Sequence, residues 1–94
     1  MEAILAQFNV AGMTVRQYEQ TLHDLGSAGA GRLHHVAVQQ LGGMFISDVW
    51  ESQEALDEFS KTLIPILQKN GVTPAQPVIM PVYNILAGAP MAVH

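Results

Sequence analysis

"SDVWESQEALDEF", residues 47–59, contains the junction that decides the fold of this chain. Its first half ends an apolar run typical of a strand, and Ser52 can cap a helix that follows. The acidic residues lie before and within the first turns of that helix, where negative charge complements the helix dipole. The stretch is therefore interpreted as a strand running into a helix whose acidic residues form a solvated face.

The helix after Ser52 is amphipathic, with an apolar stripe at helical spacing formed by Leu56, Phe59, Leu63 and Ile66/Leu67. Pro65 has no amide hydrogen for the helical ladder, so a kink or a restart is expected there. Asn70 and Gly71 are expected to end the helix.

The first part of the chain predicts a strand and a helix. Residues 3–10 carry apolar side chains at both parities, which is typical of a strand covered on both faces. The pattern then changes to a helical period. Thr14 and Gln17 have the spacing of a capping box, and Gly26 is expected to end this helix in a left-handed conformation.

The middle of the chain predicts a β-hairpin made of residues 33–41 and 44–50, with a turn at Gly42 and Gly43. A two- or four-residue loop there places His35 opposite Trp50.

The same register places Ala37 opposite Asp48. Opposite residues share a sheet face, as do residues two apart along a strand. His35, Asp48 and Trp50 are therefore predicted to line one side of the sheet.

Residues 78–85 predict a last strand, and Pro81 places it at an edge or a bulge. The element order is then β-α-β-β-α-β. With right-handed crossovers this order predicts an α+β fold, a ferredoxin-like sandwich with an antiparallel four-stranded sheet and two helices on one face. Residues 1–86 are predicted to form one domain, and residues 87–94 a C-terminal tail.

Composition indicates self-association. The 94 residues include 49 % hydrophobic and 13 % charged residues and no cysteine, whereas about 25 % charged residues is typical. A small domain without disulfides needs another source of stability. Because the strands are apolar on both faces, two sheets are expected to stack face to face as a homodimer.

Charge and hydropathy exclude several partners. The formal net charge of -4 disfavours binding to a phosphate backbone. The N-terminus lacks a basic start, and no apolar run reaches the length of about 18 residues expected of a membrane span. A cytoplasmic protein without nucleic-acid or membrane partners is therefore predicted.

The order β-α-β-β-α-β, with "DVWES" leading into "QEALDEF", resembles the dimeric α/β-barrel superfamily and within it the antibiotic biosynthesis monooxygenase (ABM)-like domains. The resemblance covers nearly all of the first 86 residues and implies a dimeric α/β barrel. The superfamily includes cofactor-independent monooxygenases, haem-degrading enzymes and stress-response proteins. Haem-degrading members pair an asparagine and a tryptophan, which Asn9 and Trp50 match, with a histidine that the second helix lacks.

The candidate catalytic residues are His35, Asp48, Trp50 and Asn9. Histidine changes charge near neutral pH, and a nearby carboxylate can orient it as a general base. The alternative is that His35 and Asp48 satisfy each other structurally and that Trp50 belongs to the core.

Three aromatic residues are candidates for surrounding a flat ligand: Phe8, Tyr18 and Tyr83. No phosphate loop, nucleophile elbow or metal motif is present, so no cofactor is expected. The predicted function is a cofactor-independent monooxygenase-like enzyme acting on a small aromatic or quinol-type molecule. The alternative is a non-catalytic ligand-binding or stress-response dimer.

Overall fold

A computed structural model describes residues 2–86 of the chain, so the predicted tail lies outside the described residues. The four-stranded sheet has the order β2-β3-β1-β4, with antiparallel neighbours. The predicted α+β ferredoxin-like fold is confirmed. The elements are β1 (Ile4–Ala11), α1 (Val15–Leu25), β2 (Arg32–Gln40), β3 (Gly43–Trp50), α2 (Gln53–Lys69) and β4 (Val78–Pro81).

Both helices begin at the predicted caps. In the capping box of α1, the Gln17 amide donates to Thr14 Oγ1 at 3.1 Å and the Thr14 amide donates to Gln17 Oε1 at 2.9 Å. At the start of α2, the Ala55 amide donates to Ser52 Oγ at 3.1 Å. The predicted restart at Pro65 does not occur, because α2 continues as one helix to Lys69.

The hairpin turns one residue earlier than predicted, at Leu41 and Gly42, because Gln40 pairs with Gly43. Gly42 has a φ of +84°, which glycine adopts without strain. Gly43 belongs to β3 and serves a different purpose: a Cβ atom there would collide with the carbonyl oxygen of Val10 in β1. Gly43 therefore permits the close approach of β1 and β3, whereas the turn requires a glycine only at position 42.

The earlier turn also corrects the predicted pairing across the hairpin. His35 lies opposite Asp48 instead of Trp50, and Ala37 lies opposite Ile46. The partner of each residue moves by two positions, so the face on which each side chain lies does not change. His35, Asp48 and Trp50 therefore still share one face.

The last strand is shorter than predicted, since β4 covers four residues and ends at Pro81. Pro81 pairs with Ile4, the first residue of β1, and the Val82 amide donates to the Ala3 carbonyl at 2.9 Å. Beyond that point β1 offers no further residue to pair with. The chain leaves the sheet, and Tyr83 is fully exposed.

The two helices pack on one face of the sheet, where two buried clusters form the core. One cluster surrounds Trp50 and Phe59, and the other surrounds Met44 and Leu67. No described element covers the second face, which we call the open face. Its apolar residues are half-buried or exposed: Leu5, Val36, Val38, Phe45, Val49, Val78 and Met80. None of the helices within residues 2–86 is long and apolar enough to span a membrane.

Candidate active site

A cavity of about 350 Å³ lies between the sheet and the two helices, and its wall is mostly apolar. Phe8 contributes from β1, Leu56, Phe59 and Leu63 contribute from α2, and the loop of residues 74–77 contributes from one side. Pockets of this size and character typically hold small organic molecules. The fold therefore leaves room for a ligand inside one protomer.

Three polar side chains on the cavity wall form a continuous hydrogen-bonded row. The hydroxyl oxygen of Tyr18, a residue of α1, lies 2.7 Å from His35 Nε2. On the other side of the ring, His35 Nδ1 contacts the carboxylate Oδ1 of Asp48. The rings of Tyr18 and His35 are nearly parallel, with an interplanar angle of 3°. We call this set the Tyr18–His35–Asp48 row.

The chemistry of the three side chains favours one arrangement of the hydrogen bonds in the row. The side chain of Asp48 is 5 % exposed and that of His35 is 24 % exposed. A carboxylate only accepts hydrogen bonds, so with Asp48 as a carboxylate the His35 Nδ1–H donates to it and Nε2 is left as the acceptor. The Tyr18 hydroxyl then donates to Nε2, and its oxygen can accept a proton from a ligand in the cavity.

The environment also favours a protonated Tyr18 at neutral pH. Burial raises the pKa of its hydroxyl above the ordinary tyrosine value, and the negative charge of Asp48 raises this pKa further. The positive charge of Arg32 acts in the opposite direction. Tyr18 is therefore a neutral hydroxyl at neutral pH.

Trp50 belongs to the core behind the cavity. It is fully buried and packs against Phe59, with ring centroids 4.9 Å apart, while Phe59 itself faces the cavity. Its indole Nε1 has no hydrogen-bond partner among the described residues. Of the two roles considered from the sequence, the structure places Trp50 in the core role.

Asn9 lies apart from the other candidates. It points to the open face of the sheet, since β1 buries its even-numbered residues against the helices. Its Oδ1 atom accepts a hydrogen bond from Gln40 Nε2 at 3.0 Å. The predicted grouping of Asn9 with His35 in one cavity is therefore corrected, because residues of opposite parity in a strand cannot share a face.

Two of the three aromatic residues proposed to surround a ligand line the cavity. Phe8 and Tyr18 do so, but Tyr83 lies beyond β4 and is exposed. Sequence reasoning also missed Arg32, which reaches the cavity through an irregularity in β2 between Arg32 and His34. Nothing in the local composition signals this bulge.

Metal ligands are not clustered in the part of the chain that the structure describes. Within residues 2–86, no three His, Cys, Asp or Glu side chains come together in an arrangement that could hold a metal ion. The row of three residues supplies one histidine and one carboxylate, which already bond to each other.

Comparison with known proteins finds similarity in structure only. No family model matches the sequence, and no curated protein matches it. SnoaB, a cofactor-independent oxygenase from Streptomyces nogalater, superimposes with a TM-score of 0.62 at 10 % identity, over 93 % of this chain and 98 % of that one.

Two further solved structures give the same result. A protein of Chloroflexus aurantiacus, provisionally assigned as an antibiotic biosynthesis monooxygenase, has a TM-score of 0.58 at 12 % identity, over 94 % of this chain and 96 % of that one. The monooxygenase ActVA-Orf6 of Streptomyces coelicolor, in complex with nanaomycin D, has a TM-score of 0.53 at 18 % identity, over 94 % and 92 %. This chain has the fold of an ABM-like domain, which confirms the predicted resemblance in fold.

Proposed function

We propose that the protein is a cofactor-independent monooxygenase-like enzyme that acts on a small aromatic or quinol-type molecule. The observation that carries this proposal is the Tyr18–His35–Asp48 row on the wall of an apolar cavity. A flat ring would fit the apolar part of the wall, and its acidic hydroxyl would meet the row. This arrangement supplies a base on a mostly apolar cavity wall.

The first chemical step is removal of a proton from the substrate. The substrate hydroxyl gives its proton to the Tyr18 oxygen as the Tyr18 proton passes to His35 Nε2. The imidazolium that forms is stabilised by the adjacent Asp48 carboxylate. The protein's own contribution is thus to accept, hold and return one proton.

The second step uses molecular oxygen as the oxidant. The electron-rich ring carbon of the phenolate adds to O₂, which forms a carbon–oxygen bond and, with the proton returned from His35, a hydroperoxide. Loss of the ring hydrogen and cleavage of the oxygen–oxygen bond release water and give a quinone. The substrate loses two hydrogens and gains one oxygen atom, while the other oxygen atom leaves as water.

The solved neighbours support the reaction class and leave the substrate open. SnoaB is described as a cofactor-independent oxygenase, and ActVA-Orf6 is a monooxygenase with nanaomycin D bound. Both share the fold found here. Trp50 would act by packing behind Phe59, and Asn9 would not touch a ligand in its own protomer.

We also propose that the protein is a homodimer in which two open faces stack, and that it is cytoplasmic. The apolar residues of the open face support the dimer, because monomers rarely expose a large contiguous apolar patch.

Oxygen uptake with a panel of naphthols and hydroquinones tests the enzymatic proposal. We expect His35→Ala to lower the rate by about 100-fold or more, as is usual for loss of a general base. His23→Ala is the control, since His23 is an exposed histidine of α1 that does not line the cavity. Equal rates in the two variants would overturn the assignment of the row.

The alternative function is a ligand-binding dimer without turnover. One observation favours it: every member of the row is already bonded to another member, so His35 Nε2 is occupied by the protein's own hydroxyl. This function predicts that a ligand binds in the cavity and is recovered unchanged with no oxygen consumed. Conversion of the bound molecule would exclude it.

A further inference from the structure

Arg32 brings a positive charge to the cavity wall that no described carboxylate matches. Within residues 2–86 it takes part in no salt bridge. The two carboxylates on the wall have other partners: Asp48 contacts His35, and Asp57 accepts from Gln53 at 2.9 Å. The guanidinium therefore has N–H donors available for a ligand.

A bulge in β2 gives Arg32 this position. Arg32 pairs with Trp50, and the register shifts before His34, so Leu33 is the extra residue. Residues three apart in a regular strand lie on opposite faces, but the bulge places Arg32 and His35 on the same face. Bulges often redirect a side chain next to an active site.

Aromatic rings hold the guanidinium in place. Its Cζ atom lies 5.8 Å from the centroid of Trp50 and 5.5 Å from the centroid of Phe59. Both distances are within the range of cation–π attraction. The guanidinium thus lies within cation–π range of both rings, while the row lies about two residues, or roughly 7 Å, further along β3.

We propose that the ligand of this cavity is a planar aromatic acid, with its anionic group bound by Arg32 and its ring hydroxyl directed at the Tyr18–His35–Asp48 row. The inference rests on the proposed function for the identity of the site, and it adds the charge of the substrate. A guanidinium binds a carboxylate through two parallel N–H donors. The cavity therefore has unmatched N–H donors of Arg32 at one end and a proton acceptor, the row, at the other. A ligand that matches both ends has two acidic groups.

Calorimetric titration with a matched pair of probes tests this inference without requiring turnover. The probes are 6-hydroxy-2-naphthoate, which is anionic at pH 8 and carries its hydroxyl and carboxylate at opposite ends of the ring system, and its neutral amide, 6-hydroxy-2-naphthamide. We expect the wild-type protein to bind the carboxylate at least about tenfold more tightly than the amide. Arg32→Gln should reduce this ratio to within about twofold of unity.

Two control variants make the result specific. Arg16→Gln removes the same charge from an exposed position on α1 outside the cavity, and it should keep the wild-type ratio. Arg32→Lys keeps the charge but lacks the planar fork, so its ratio should fall several-fold. If Arg32→Gln fails to fold, the wild-type and Arg32→Lys ratios decide the question.

The outcomes separate this inference from the proposed function. A tenfold preference that depends on Arg32, without oxygen uptake, supports the acid-binding site and counts against the enzyme. Equal binding of the two probes, no binding of either at millimolar concentration, or a preference unchanged in both Arg32 variants would overturn the inference. If oxygen is then consumed with neutral phenols alone, the enzymatic proposal holds although the acid-binding inference fails.

Discussion

Tyr18, His35 and Asp48 come from α1, β2 and β3, and they meet only because the helices and the hairpin pack on the same face of the sheet. Each residue alone has an ordinary role in the sequence. Together they form a row in which proton positions depend on one another. The titration of Tyr18 is the property most sensitive to this coupling.

In a Tyr83→Phe background, Tyr18 is the only tyrosine left, and its phenolate absorbance can be followed as pH rises. We expect the pKa of Tyr18 to lie above the ordinary value of about 10, because burial and Asp48 both disfavour the anion. Asp48→Asn should lower this pKa, whereas Asp57→Asn, a change elsewhere on the wall, should not. Ionisation at or below the ordinary value would contradict the burial of the hydroxyl.

The raised pKa also fixes the sign of the pH dependence of stability. Above a pH of about 10 the unfolded chain loses the tyrosine proton while the folded chain keeps it. The contribution of Tyr18 is therefore complete below that pH and is lost as pH rises toward its folded pKa. Denaturation midpoints at alkaline pH should fall less steeply in Tyr18→Phe than in Tyr83→Phe.

The sheet face on which most site residues lie could be predicted from their odd or even position along the strand. His35, Asp48 and Trp50 were assigned to one face, which holds despite the shifted hairpin partner. Asn9 is grouped with them through the resemblance to haem-degrading members, and parity does not correct this grouping, because apolar residues at both parities of β1 do not reveal which face the helices cover. Arg32 was missed because an inserted residue in a strand leaves no signature in composition.

At the scale of elements, helix ends were the most predictable features. Thr14 and Ser52 cap the helices as their side-chain chemistry requires. Turn and strand ends were less predictable, since Gly42 and Gly43 look alike in sequence but have different partners in space. The length of β4 depends on where β1 begins, which is a property of the pairing and not of residues 78–85 themselves.

Pro65 gives a prediction for α2. The residue is exposed and lies inside a continuous helix, where proline lacks one backbone donor and crowds the preceding turn. Pro65→Ala should raise the free energy of unfolding by about 1 to 3 kcal/mol, measured by chemical denaturation. Thr62→Ala, an exposed change in the same helix, should gain less than about 1 kcal/mol, and an equal gain in the two variants would contradict the cost assigned to Pro65.

At the scale of the whole molecule, the layer order followed from the sequence but the partner of the second face did not. The β-α-β-β-α-β order and right-handed crossovers leave few arrangements of four strands and two helices. The apolar residues on both faces then indicate that something covers the open face. What covers it is a question for solution measurement.

Phe45 lies half-buried on the open face, in a strand with neighbours on both sides. We expect the wild-type protein to sediment as a dimer at micromolar concentration and Phe45→Glu to sediment as a folded monomer, because the charge would be buried between the sheets. Leu41→Glu makes the same change at the fully exposed hairpin tip and should leave the dimer intact. A wild-type monomer would contradict the stacking of open faces.

The position of Trp50 has a practical consequence. It is the only tryptophan in the chain, it is fully buried, and it lies beside both Phe59 and the guanidinium of Arg32. Its fluorescence therefore comes from one known site, in the core behind the cavity wall. Emission should shift to longer wavelength when the chain unfolds and change in intensity when an occupant draws Arg32 away, so the molecule carries its own optical reporter.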